Sequence, residues 1–223
     1  MPSLPAGPLL REVAGQASAK RSSQQRFRDE ALALIERESL AEPALSFSIV
    51  DLEEPAAETL RAGDERFYAP KLLPQSGRLT ALACGVATVG PRVEARVGAL
   101  FRERSMSLGL ALDEVANELL FAVSRRLQDR MLLAARKSGL NLAGELRPGD
   151  PGLALNAQAG LLRLADAESI GVGLFGGHML NPIKSVSVMF GAGVDLPAVR
   201  WSRCDECSSR ATCKIAPREL VDA

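Results

Sequence analysis

Cys204, Cys207 and Cys213 stand within ten residues near the end of the sequence. The first two have the C-x-x-C spacing with which one turn presents both sulfurs to a metal. Soft thiolate donors at this spacing select an iron–sulfur cluster or zinc, with iron–sulfur ahead. Such sites close with four ligands, so a fourth donor has to come from Cys84, His178, a partner or an exogenous group. Arg203, Arg210 and Lys214 favour the thiolate form and offset the charge of a cluster. A tail of ordinary thiols, or a reversible Cys204–Cys207 disulfide, accounts for the same residues. Cys84, on the apolar side of a strand, reads as a small buried thiol. His178 is the single histidine and lies in a glycine-rich loop, where it serves as a ligand or proton relay or simply as a structural residue. Arg147 opens the segment Arg-Pro-Gly-Asp-Pro-Gly, and its planar guanidinium can hold a carboxylate through two parallel hydrogen bonds or pair with Glu145 at the surface.

The elements that must carry these residues follow from hydrophobic periodicity. Residues 1–23, rich in Pro, Ala, Gly, Ser and Gln, read as an irregular arm. Phe27, Ala31, Leu34 and Ile35 predict an amphipathic helix over 24–40, and Ser46–Val50 a short strand followed by a helical turn or two. Leu79–Val89 reads as a buried strand with Leu82, Cys84, Val86 and Thr88 on one face, ended by Gly90-Pro91. A helix through Val93, Val97, Leu100 and Phe101 follows. Leu112-Asp113 then opens a long helix to Lys137, with Asp113 as cap and Val115, Leu119, Val123, Leu127 and Met131 as its stripe. Leu140–Leu146 is extended, Asn156 caps a helix to Ala167, and Ile170–Phe175 and Ser185–Phe190 are strands around the loop Gly176–Lys184. Helices and strands without a regular βαβ repeat predict an α+β fold. The expected division is an arm (1–23), one domain (24–200) and a Cys-rich tail (201–223).

Composition excludes several classes of partner. With 27 basic and 27 acidic residues the formal charge is zero, so there is no general electrostatic case for nucleic acid or an acidic membrane surface. Aromatic residues at 4% leave too few rings for a single-strand stacking platform. No apolar run reaches the about 18 residues of a membrane helix, and no signal-peptide pattern opens the sequence, so a cytoplasmic protein is expected. Hydrophobic residues at 47% fill the core of one large domain.

Thr88 and Gly90, then Leu112-Asp113, then Arg147-Pro148-Gly149-Asp150-Pro151-Gly152-Leu153, Ile170-Gly171-Val172, and Met179-Leu180-Asn181-Pro182-Ile183-Lys184-Ser185-Val186-Ser187 come in an order and spacing that carry a resemblance. Over residues 80–192 the chain resembles the activation domain of cobalamin-dependent methionine synthase and related corrinoid-methyltransferase activation proteins. The first loop looks like the family's R-x-x-x-G-Y, and the last run like its Met-x-Pro-x-x-Ser-Val-Ser. The resemblance implies a curved mixed, largely antiparallel sheet with packed helices that holds S-adenosylmethionine against the corrinoid of a partner methyltransferase subunit. It implies cofactor contacts at Arg147, Gly152, Met179 and Pro182, with the backbone of the Met-Pro segment facing the reacting centre. Lys184 and Ser185 either meet phosphate or propionamide groups of the corrinoid or start a strand with a solvated charge. His178 is the candidate catalytic group. Leu153 replaces the family's tyrosine, and the loop is one residue longer. Near the family's acidic ligand contact stand Asn117 and Glu118. The expected role is reductive remethylation of an inactivated cobalamin, fed by a flavodoxin- or ferredoxin-like electron donor. A non-catalytic corrinoid-protein chaperone and an iron–sulfur electron-transfer subunit are the alternatives.

Overall fold

The computed structural model describes residues 3–15 and 22–197. Its centre is a four-stranded sheet ordered β1 (Ala44–Asp51), β4 (Arg78–Thr88), β8 (Ser185–Val194) and β5 (Asn141–Leu146). Every neighbouring pair in it is antiparallel, so the sheet is antiparallel throughout rather than mixed. The α+β class holds.

The alternation of β4 decides how the sheet is covered. Successive side chains point to opposite faces. One face of β4 carries Ala81, Ala83, Gly85 and Ala87, and the other Leu82, Cys84, Val86 and Thr88, as the sequence predicts. The small-residue face receives the long helix α4 (Met106–Lys137) at close range. A Cβ on Gly85 would come within 2.7 Å of the Met131 sulfur and 3.0 Å of Leu127. Around α4 pack α1 (Ala6–Ala14), α2 (Ser22–Arg37) and α3 (Arg92–Arg102), closing a core that includes Leu34, Ile35, Val97, Leu119, Leu127 and Val188.

The large-residue face builds a second core with Met189 of β8, Leu146, Leu153 and Leu161. It is covered by the hairpin β2 (Thr59–Ala62) and β3 (Glu65–Tyr68), by α5 (Ala157–Leu164), and by the 3₁₀ turn Ala167–Ile170. A second hairpin, β6 (Gly173–Phe175) and β7 (Met179–Asn181), leads into β8.

Four local expectations are corrected. Residues 6–14, read as irregular, form α1: Leu9 and Val13, four apart, are both buried, each contributing about 1.5–3 kcal/mol by burial, and Glu12 pairs with Arg125 and Arg126 of α4. The helical turn expected between the first strand and Leu79 is the 3₁₀ turn Pro70–Leu72, and ahead of it residues 59–68, for which the sequence predicts no element, form a hairpin with a two-residue turn in which Gly63 takes φ 54° and the buried Leu60 and Phe67 face each other. Helix α4 opens at Met106, after the left-handed Arg104, so Asp113 lies two turns inside it and is no cap. Helix α5 begins at Ala157 without a side-chain bond from Asn156, and Ile170 closes a 3₁₀ turn rather than opening a strand.

Candidate functional site

β5 and β8 run antiparallel, with Leu146 opposite Met189, so the end of β5 and the start of β8 lie at the same end of the sheet. The segments that follow β5 and precede β8 are the two singled out from the sequence: Arg147–Leu153 and Met179–Ser185. Gln158 of α5, on the chain leaving the first segment, donates from Nε2 to Ser187 Oγ in β8 at 2.8 Å in a buried contact. This bond ties the start of α5 to β8, two residues beyond the second segment.

The Arg147 segment is held by its own neighbours. The guanidinium donates to Glu145 Oε1 from Nε at 3.3 Å and Nη2 at 3.1 Å, the surface pairing anticipated as the alternative to ligand binding. The Arg147 amide donates to Asp150 Oδ2 at 2.9 Å, and backbone bonds Asp150–Arg147, Leu153–Asp150 and Gly149–Leu153 close the turn. Gly149 and Gly152 take φ of 96° and 95°, which excludes most other residues there. The Lys71 side chain lies over Gly152, and Leu153, at the tyrosine position, is buried in the second core. That position is spent on packing and offers no polar group to a ligand.

The Met-Pro segment is held by distant elements. Thr88 Oγ1 lies 2.9 Å from Ser185 Oγ and 3.3 Å from the Lys184 carbonyl, and it accepts from the Gly90 amide at 3.0 Å. The Lys184 carbonyl also accepts from the Val89 amide. Glu94 of α3 accepts from the Ile183 amide at 3.0 Å. Lys184 Nζ donates to Asn117 Oδ1 at 2.7 Å and lies 2.7 Å from Asp113 Oδ1, with its side chain 10% exposed. The second of the two readings of Lys184, a solvated charge at a strand start, is thus corrected: its ammonium is turned inward onto α4. Ser185 begins β8 as expected, and its hydroxyl is likewise directed inward.

Ahead of these residues the chain is open to solvent. His178 is exposed in the turn of the β6–β7 hairpin, beside Gly176 and Gly177, both at positive φ. No side-chain hydrogen bond of His178 is present among the described residues. Phe175, Met179 and Ile183 are exposed. Asn181 and Pro182, joined by a cis peptide, line separate clefts. One, of about 700 Å3, is walled by Leu162, Arg163, Asp166, Glu168 and Leu174. The other, of about 660 Å3, is walled by Leu4, Glu42, Gly90 and Ile170. Arg147 lines neither.

Of the helix residues weighed as ligand contacts, Asn117 is committed to Lys184, and Glu118 receives both terminal nitrogens of Arg28 at 2.7 and 2.6 Å. Cys204, Cys207 and Cys213 lie outside the described residues. Cys84 is fully buried, and desolvation pushes its thiol up to about 12. Cys84 thus packs in the second core as the small buried thiol read from the sequence. Among the described residues no cluster of metal-binding side chains occurs.

The sequence matches no protein-family model and no curated protein. Among solved structures, the crystal structure of the MetH reactivation domain bound to AdoHcy is similar, with a TM-score of 0.60 at 12% identity, covering 86% of this chain and 74% of that one. The chain has the reactivation-domain fold. No helix among the described residues is long and apolar enough to cross a membrane. The residues that sequence reasoning missed are Asp113 and Glu94 as holders of the Met-Pro segment and Gln158 as the tie between α5 and β8. Their partners are 71, 89 and 29 residues away, and no local pattern marks them.

Proposed function

We propose that this chain is an accessory reactivation protein for a cobalamin-dependent methyltransferase of the methionine synthase type, binding S-adenosylmethionine at the sheet end where the Arg147 and Met-Pro segments emerge. The observation that carries the reading is the shared fold with a reactivation domain bound to AdoHcy, together with both motif segments at one end of β5 and β8. Arg147 would exchange Glu145 for the carboxylate of the ligand's amino acid portion, a swap that keeps a charge-assisted fork. Gly152 permits close backbone approach, and the exposed Met179 and inward Pro182 shape the wall of the segment that faces the reacting centre. His178, exposed on the hairpin turn, is placed to meet a docked partner and to relay a proton there. Lys184 and Ser185 act from within, by fixing the segment.

A corrinoid carried by a separate subunit would supply the chemistry, accepting the methyl group of S-adenosylmethionine once a flavodoxin- or ferredoxin-like donor has provided one electron, with S-adenosylhomocysteine as the released product. In this reading the cysteine tail holds an iron–sulfur cluster or zinc with a fourth ligand from His178 or a partner. The burial of Leu153 where a tyrosine is expected favours a second reading, a corrinoid-protein chaperone without ligand binding.

Calorimetric titration of the anaerobically purified chain with S-adenosylmethionine, with Arg147→Ala beside it, separates the two. Saturable binding lost in the variant supports reactivation. No binding, with the corrinoid subunit still captured, supports the chaperone.

A further inference from the structure

The ammonium of Lys184 is almost withdrawn from solvent, and its two partners on α4, Asp113 and Asn117, are one helical turn apart on the same face. Asn117 Nδ2 also lies 3.4 Å from Asp113 Oδ2, so the amide orients the carboxylate that receives the lysine. One residue further on, Glu118 binds the buried Arg28, whose second donor reaches the Val13 carbonyl at the end of α1. On the other side of the segment, Glu94 holds the Ile183 amide from α3. A strand start needs none of this: the Thr88–Ser185 pair and the Val89–Lys184 bond already fix β8 against β4.

We propose that Lys184, held by Asp113 and Asn117, is a positioning residue that sets the conformation of the Met179–Ile183 segment for ligand, so that the helical layer controls the site from behind. Lys184 does not touch the ligand; its charge is consumed by α4. The inference rests on the reading above that the backbone of this segment faces S-adenosylmethionine or its product.

The physical basis is geometric. Pro182 is buried and Ile183 is exposed, so the chain crosses from interior to surface within one residue, and the two acidic groups from α3 and α4 determine where it does so. Lys184 is the inward member of the pair while Asp113 is 41% exposed, so losing Asp113 leaves the ammonium with Asn117 alone and losing Lys184 releases the segment from both α4 residues. A segment displaced by even a fraction of an ångström presents its backbone groups wrongly to a ligand.

The test is a double-mutant cycle on the full chain, with Lys184→Met, Asp113→Asn and the double variant titrated with S-adenosylhomocysteine. Each single change is expected to weaken binding about tenfold, Lys184→Met at least as much as Asp113→Asn because it also gives up Asn117, and the double change no further than Lys184→Met, since both remove the Lys184–Asp113 contact. Equal affinity in all four proteins, or losses that add, overturns the inference. Hydrogen exchange of the Ile183 and Lys184 amides is read on the same samples without ligand. Faster exchange there in Lys184→Met, with the core strands β4 and β8 unchanged, is expected, and unchanged exchange overturns the clamp. If the unaltered chain binds no S-adenosylhomocysteine, the ligand reading fails, and the exchange result alone decides whether the clamp positions the segment.

Discussion

The two segments that leave the sheet at the same end are stabilised in opposite ways. Arg147–Leu153 is a self-contained turn: Glu145 and Asp150, two and three residues away, satisfy the arginine's side chain and amide. In Met179–Ser185, Met179–Asn181 pair within the β6–β7 hairpin, while Ile183–Ser185 are pinned by Thr88, Glu94, Asp113 and Asn117 on β4, α3 and α4. A locally closed loop can change its sequence without disturbing the fold, and this one places Leu153 in the second core. A loop held by distant elements is constrained by all of them at once.

If the contrast is right, the largest losses come from the long-range supports. Glu118→Ala strands Arg28, whose side chain is 4% exposed, next to the helix stripe that holds Lys184. Unfolding by denaturant should show a loss of about 3–5 kcal/mol, the usual cost of orphaning a buried charge. Arg147→Ala should cost under about 1 kcal/mol in the same measurement, because its pair is local and partly solvated. Equal losses in the two variants would erase the distinction.

Restoring the tyrosine sharpens the comparison from the other side. Leu153 is 2% exposed and packed in the second core. Leu153→Tyr should therefore destabilise by about 1–3 kcal/mol through overpacking, without gaining affinity for S-adenosylmethionine. A variant of unchanged stability that binds more tightly would show that the loop opens readily and that leucine is its only defect.

What the sequence revealed divides along the same line. The face assignment of β4, the α4 stripe and the β8 start were legible because alternation and helical period are local signals. The arginine turn was legible for the same reason, down to its Glu145 partner. The β2–β3 hairpin was not, since four residues per strand give too little alternation to mark a strand. The inward turn of Lys184 was invisible because its partners belong to a helix 67 and 71 residues earlier. Helix α1 was missed because a Pro- and Gly-rich composition hides two apolar residues that matter only once α4 is present to receive them.

The sheet beneath both segments provides a pH-dependent control. The unfolded Cys84 thiol loses its proton near 9, while the folded one keeps it up to about 12. Above pH 9 the unfolded state therefore binds fewer protons, and the contribution of Cys84 to stability is lost as pH rises, at about 1.4 kcal/mol per pH unit within that window. Denaturant unfolding between pH 8 and 10 should be steeper in pH for the unaltered chain than for Cys84→Ala. Matching slopes would mean that solvent reaches the sheet and that its rigidity has been overstated.

The smallest expected effect is the most informative about the arginine. In the structure Glu145 occupies the guanidinium fork that a ligand carboxylate would need, so binding must displace one negative charge before it can place another. Glu145→Gln keeps an acceptor oxygen for Arg147 but removes the competing charge. Stability should fall by less than about 1 kcal/mol, since the pair is a local one at a partly solvated position. Affinity for S-adenosylhomocysteine should rise about threefold, within the range that a weak pair can set. The sign decides the matter. Tighter binding means that Arg147 is held in reserve by its neighbour and released to the ligand, whereas unchanged or weaker binding means that the Glu145–Arg147 pair is simply how this loop is built and that the ligand, if bound, lies against the Met-Pro segment alone.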